Sequence, residues 1–261
     1  MAMITIFTVP KGFDGAAAGA QANAIRSWTR LRDCEVILVG DDPGVRAFAA
    51  SNGARHLPHV DTSDAGVPLL SSAFDAVKTD AAHDVLAFVN TDIILTRNFV
   101  DTVRRVRAWR PRVLITGRRI NLDIREAIDF SPGWEDALHA RTRESGDLHP
   151  GHDYFVFPKR LWTSLPPFVV GHEYWSAWMT YSARTRKAAV VDATEAISAI
   201  HQVHASNPAR SKSADWQRNR ILMGGPEHSF LPSEATHAVS ARGIQSICRS
   251  CYPVCACQFG G

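Results

Sequence analysis

The feature that most constrains this chain is a repeated alternation. Short apolar runs stop at Gly, Pro, Asn or Asp, and each is followed by a stretch with apolar residues at helical spacing. Runs this short suit strands buried on both faces rather than helices. Strands and helices in alternation build a largely parallel sheet covered on both sides, so the fold expected is an α/β sandwich. Strands are expected at 4–9, 35–39, 55–57, 85–89, 113–116, 154–157 and 188–191, and helices at 20–31, 45–50, 69–77, 99–109 and 175–184. Pro10, Gly12 and Asp14 break the first strand, Gly53 is a natural helix stop, and Pro111 closes the helix ending at Trp109. Residues 120–151 are polar and mixed, and read as helical pieces and loops. From Ala205 onward the chain turns polar.

The 261 residues are enough to bury a substantial core, and 45% hydrophobic with 21% charged residues is a globular balance. A net charge of +3 is too small to argue for a nucleic-acid partner. The apolar stretches are interrupted well short of a membrane span, which needs roughly 18–20 residues. The N-terminus runs straight into a strand rather than a signal peptide, so the default compartment is the cytoplasm. Nothing in the pattern sets an oligomeric state. Cys34, beside an apolar run, reads as a small buried hydrophobe. Cys248, Cys251, Cys255 and Cys257 crowd the end of the chain. They either close around zinc or form a tail of reduced thiols. One domain over 1–240 and a Cys-rich tail over 241–261 are expected.

Several chemistries are disfavoured. No Gly-x-Gly-x-x-Gly follows the first strand, and no phosphate-loop Lys-Ser/Thr is present. His172-Glu173 begins like a zinc-protease helix, but Ser176 stands where the second His is needed. Acids do sit at the C-terminal ends of two strands, as Gly40-Asp41-Asp42 and Asn90-Thr91-Asp92. Ligands of open α/β sheets bind at those ends. A nucleotide diphosphate needs a hard divalent cation, and such cations want carboxylate oxygens. Asp92 either supplies one or caps the next turn, and Asp41-Asp42 also suits a tight turn.

In order along the chain, Ile6-Phe7-Thr8-Val9-Pro10-Lys11, Asn23-Ala24-Ile25-Arg26-Ser27-Trp28, Val36-Ile37-Leu38-Val39-Gly40-Asp41 and Gly66-Val67-Pro68-Leu69-Leu70 form one set of segments. Ile115-Thr116-Gly117-Arg118-Arg119, Asp153-Tyr154-Phe155-Val156-Phe157-Pro158, Pro166-Pro167-Phe168, Val191-Asp192-Ala193-Thr194 and Ile200-His201-Gln202 complete it. The set resembles GT-A-fold glycosyltransferase-like proteins of the nucleotide-diphospho-sugar transferase superfamily, from about Ile4 to about Ser240. The resemblance implies a GT-A, Rossmann-like αβα sandwich with a mixed, mostly parallel central sheet. It also implies sugar transfer from a nucleotide-diphosphate sugar to a hydroxyl of a glycan or small molecule, assisted by Mn2+ or Mg2+.

It further implies residue roles. Thr8 and Pro10 would line the base pocket, Asn23 and Arg26 would face it, and Asp41 would contact base or ribose. Asn90-Thr91-Asp92 would stand for the Asp-x-Asp motif, with Asp92 on the metal and Asn90 on the ribose. His201 or His204 would complete the metal site; the other role for His201 is structural. Arg118 and Arg119 suit a pyrophosphate or an acidic acceptor, or else form a solvated pair. Asp153 and Tyr154 would hydrogen-bond sugar hydroxyls. Trp175 offers a face to an acceptor ring, whereas Trp178 reads as core.

One departure stands out. Similar proteins carry an Asp just after the Trp that matches Trp175, suited to act as general base. Here that residue is Ser176, which cannot serve as a base unaided. Either Glu173 takes the role, or the transfer is retaining, or the chain binds nucleotide-sugar or glycan without turnover. A nucleotidyltransferase of the same fold ranks lower, because Lys11-Gly12-Phe13-Asp14-Gly15 lacks its Gly-rich, cation-bearing loop.

Overall fold

The computed structural model describes residues 4–204, 213–225, 228 and 235–247. The elements run β1 (Ile4–Thr8), α1 (Ala18–Trp28), β2 (Cys34–Val39), α2 (Val45–Ser51), β3 (Arg55–Leu57), α3 (Leu70–Asp80), β4 (Val85–Val89), β5 (Ile93–Ile94), α4 (Asn98–Trp109) and β6 (Val113–Thr116). They continue with β7 (Arg118–Leu122), α5 (Trp134–Ser145), β8 (Asp147–His152), β9 (Tyr154–Pro158), α6 (Trp175–Thr185), β10 (Ala189–Asp192), β11 (Ile200–Gln202), α7 (Ala214–Met223), β12 (His237–Ser240) and β13 (Gly243–Ser246).

The large sheet has the order β13-β12-β10-β6-β9-β4-β1-β2-β3. Its pairings are parallel except for β9, which runs against both β4 and β6, and the hairpin β12–β13. The mixed, mostly parallel sandwich expected from the sequence is therefore the observed fold. Strand residues alternate between two cores with period two. Ile4, Ile6, Ala87, Val89, Tyr154 and Val156 face α1, α2 and α4. Phe7, Leu86, Phe88, Phe155 and Phe157 face α3 and α6. The second face is dense in rings, with Phe7, Phe74, Phe88 and Trp175 in edge contacts. Cys34 is half-buried, and burial pushes its thiol up to about 12.

A second sheet, β5-β11-β7-β8, was not legible beforehand. The stretch expected as helical pieces and loops holds β7, α5 and β8. Strand β7 begins with two arginines, and β8 contains Pro150, which an edge strand tolerates because its N–H side need not pair. Helix α7 and the hairpin β12–β13 also lie in the polar segment. The domain boundary expected at 240/241 falls in the turn of that hairpin, so β13 belongs to the large sheet rather than to a tail. The four clustered cysteines lie outside the described residues. Among the described residues no helix is long and apolar enough to cross a membrane.

Candidate metal and donor site

The small sheet builds the site. After β4 the chain turns through Asn90-Thr91-Asp92 and enters β5, which pairs antiparallel with β11 so that Ile93 sits opposite His201. Gln202 secures the join, because its backbone N–H and its side-chain amide both donate to the Asp92 carbonyl at 3.2 Å. Two histidines thereby converge on one carboxylate. His201 Nε2 lies 3.4 Å and His204 Nε2 3.1 Å from Asp92 Oδ2. The three side chains offer ligand atoms within 4.8 Å of one another.

The proton inventory of this cluster suits a cation. Asn121, opposite His201 on β7, has its Oδ1 3.0 Å from His201 Nδ1 and 3.1 Å from Arg119 Nε. Arginine only donates, so that atom of Asn121 is an acceptor and His201 Nδ1 carries the proton. His201 Nε2 then faces the Asp92 carboxylate either with a second proton or with a lone pair. Two acceptors that close need a second proton or a cation between them. Asp92 Oδ1 is buried and has no hydrogen-bond partner among the described residues, a costly state without a ligand. Burial opposes ionisation of Asp92, but the contacts to His201 and His204 outweigh it and hold the carboxyl well below the usual carboxylate range. The donor set of one carboxylate and two imidazoles fits a divalent cation.

The network extends further. Asn90 Nδ2 donates to Asp153 Oδ1 at 2.6 Å, and Arg119 Nη1 pairs with both Asp153 oxygens at 3.1–3.2 Å. Burial pushes the Asp153 carboxyl up; Arg119 opposes this and the Asp92 charge adds to it. A continuous chain thus links Asn90, Asp153, Arg119, Asn121, His201, Asp92 and His204. A bulge between Arg118 and Arg119 separates the two guanidiniums. Arg118 is half-buried, with its backbone N–H on Thr194 Oγ1 and its Nε lacking a partner among the described residues. Thr91 is half-buried beside Asp92.

Other expected site residues lie elsewhere. Asn23 spends its amide inside the protein: Nδ2 donates to the Glu126 carbonyl and to Gln202 Oε1, and Oδ1 accepts from the Ile128 N–H. It clamps loop 126–128 rather than facing a base. Arg26 turns to α2, with Nε on Asn52 Oδ1 and the guanidinium over Phe48. Asp41 is exposed and faces Arg46 and His56. Thr8 and Pro10 are buried at the end of β1.

The acceptor assignments to Tyr154 and Trp175 are corrected by burial. Tyr154 is 0% exposed against Phe99, and Trp175 packs on Phe88 and Phe155. Period-two alternation places Tyr154 in the core, and helical spacing does the same for Trp175. Trp178 is half-buried on Phe168. Ser176 is half-buried in the first turn of α6. Glu173 is exposed, and its carboxylate accepts from Trp216 Nε1 of α7 at 3.2 Å. Its loop is held by Asn219, which is fully buried and bonds the Val169 N–H and the Val169 and Glu173 carbonyls.

Asn121 and Gln202 were not singled out as site residues. Recognising β7 as a strand would have placed Arg119 and Asn121 on one face. Asn121→Leu is expected to weaken Mn2+ binding by about 10–100-fold, the usual effect of losing the partner that orients a ligand histidine. Titration calorimetry reads it, with circular dichroism to verify the fold.

No family model and no curated protein matches the sequence. Solved structures do match. Glucosyl-3-phosphoglycerate synthase from Mycobacterium tuberculosis, in complex with Mn2+, UDP and glucosyl-3-phosphoglycerate, aligns with a TM-score of 0.55 at 16% identity over 85% of this chain and 78% of that one. A further crystal structure of the same enzyme gives 0.53 and 16% over 94% and 87%. Its complex with Mg2+ and UDP gives 0.51 and 17% over 85% and 78%. At this identity the likeness is one of fold, and the chain has the GT-A fold.

Proposed function

We propose that this GT-A-fold chain is a metal-dependent glycosyltransferase that moves a sugar from a nucleotide-diphosphate sugar to a hydroxyl acceptor. The observation that carries the reading is the cluster of Asp92, His201 and His204 at the C-terminal end of β4, with a buried, unpartnered Asp92 oxygen. Open α/β sheets bind ligands at that edge. The solved structures of the same fold hold Mn2+ or Mg2+ with UDP, so UDP is the first nucleotide to test.

Asp92, His201 and His204 would hold Mn2+ or Mg2+, which supplies neutralising charge for the departing diphosphate. The remaining work falls to the chain itself. Asp153 holds Asn90 and Arg119 in place from a buried position. Asn90, half-buried after β4, would meet a ribose hydroxyl. Arg118, whose Nε has no hydrogen-bond partner among the described residues, would meet the diphosphate or an anionic acceptor. Glu173 would take the acceptor proton on its other oxygen, Oε1, because Oε2 accepts from Trp216.

Ser176 and the uncharged Asn90 favour a second reading in which the chain binds nucleotide-sugar without turnover. One experiment separates the two. The full chain is melted with UDP, GDP, CDP and TDP and their glucose conjugates, with and without Mn2+. A ligand at about 100 times its Kd adds about 2.7 kcal/mol, which for a chain of this size raises Tm by about 5–10 °C. The expected result is a Mn2+-dependent rise with one nucleotide. No rise with any nucleotide would overturn both readings. A rise without donor hydrolysis, or without transfer to any acceptor, would favour the binding protein.

A further inference from the structure

The strand edge opposite the metal cluster holds a cavity. It measures about 380 Å³ and is lined by Asp84, Arg107, Pro111, Arg112, Pro158, Lys159, Arg160 and Leu161, within the size range of small-molecule sites. Its position follows from topology. Asp84 precedes β4 while Asn90 follows it, so the two edges lie about 20 Å apart at strand rise. Strand β9 runs antiparallel to β4, with Pro158 paired to Val85, so its C-terminal residues arrive at the same edge. Arg112 enters just before β6, and Arg107 comes from the last turn of α4.

Four cations and one acid line this cavity. Lys159 and Arg107 are held from behind. Lys159 Nζ donates to the Ala81 carbonyl at 2.6 Å, and Arg107 Nη1 donates to the Pro111 carbonyl. Arg107 Nε is buried and has no hydrogen-bond partner among the described residues. Burial works against the Arg107 charge, and Asp84 is the group that offsets it. Arg112 and Arg160 are exposed at the rim. Four like charges around one concavity repel one another, with Asp84 offsetting part of the charge, and a multiply charged anion relieves the remaining repulsion.

We propose that this cavity binds a small phosphate-bearing molecule, at a site separate from the metal cluster. Guanidinium forks match phosphate oxygens, and Pro111, Pro158 and Leu161 offer an apolar wall to the body of such a ligand. A nucleic-acid backbone is disfavoured, because the whole chain carries only +3. The inference stands independently of the sugar-transfer reading.

The test is titration calorimetry of the full chain with pyrophosphate, in EDTA and at constant ionic strength. Saturable binding is expected. The Arg112→Glu/Arg160→Glu variant should weaken it by about tenfold or more, the effect of losing charge-assisted hydrogen bonds. Arg143→Gln, an exposed arginine of α5 outside both sites, should leave it unchanged. Arg112→Gln/Arg160→Gln replaces exposed side chains with neutral ones and decides by the same criterion if the Glu pair fails to fold. Absence of saturable binding at millimolar pyrophosphate overturns the proposal. So does binding that survives loss of the rim arginines, or that is lost equally with Arg143→Gln.

Discussion

Asp92→Ala should abolish Mn2+-dependent donor binding and lower any transfer rate by about 10²–10³-fold, the scale on which removing one preorganised electrostatic group acts. Asp92 is the carboxylate of the cluster, and its Oδ2 is where His201 and His204 converge. Without it, two neutral imidazoles remain, a poor set for a hard cation. The fold should survive, because the turn is held by the Asp92 carbonyl and Gln202 rather than by the carboxylate. Calorimetric titration with Mn2+, then with UDP at saturating Mn2+, measures the loss, and a melt verifies the fold. His204→Ala should do less, since His204 is exposed. Unchanged Mn2+ and UDP affinities in Asp92→Ala would remove the metal assignment.

Trp28→Ala should cost about 3–5 kcal/mol of stability, the range for truncating a fully buried large aromatic. Trp28 is 0% exposed on the inner face of α1, amid the core formed with β4 and α4. Its Nε1 donates to the Ile93 carbonyl at 2.8 Å, so truncation also leaves that carbonyl without its donor. The expected Tm loss is about 6–20 °C. Trp28→Phe keeps most of the packing and loses only the hydrogen bond, for about 1–3 kcal/mol. Ile93 adjoins Asp92, so both variants should also weaken Mn2+ binding at temperatures where the fold is intact. Chemical denaturation and Mn2+ titration on the same preparations check both effects. Denaturation midpoints equal to those of the unmodified chain would mean that Trp28 does not carry the α1–β5 contact.

The large sheet was legible because burial on both faces writes itself as continuous apolar runs, as in Ile37-Leu38-Val39 and Val85-Leu86-Ala87-Phe88-Val89. The small sheet was not, because its strands are short or partly exposed. Two residues make β5, and β8 lies at an edge and tolerates Pro150. Periodicity needs length, and these strands have little. The metal candidates were nonetheless found, since Asp92 follows an obvious strand and the histidines lie close in sequence to one another. The base-pocket expectations fared differently for a physical reason. Asn23 and Arg26 sit on α1, but side-chain direction on a helix is set by neighbours, and α2 and loop 126–128 claim both. Asn121 acts only through Arg119 and His201, a relation that spacing along the chain does not encode.

The candidate ligands come from chain segments separated by 112 residues, joined through β5 and β11. Closing so long a loop is entropically costly, and the few hydrogen bonds of this pairing give little in return. A cation that binds only the closed arrangement acts as a clasp across the chain, adding its binding energy to that one seam. Ion uptake would then be the last event of refolding, after the two cores have formed. On warming, the ion would leave when the seam parts, before the rest of the molecule melts.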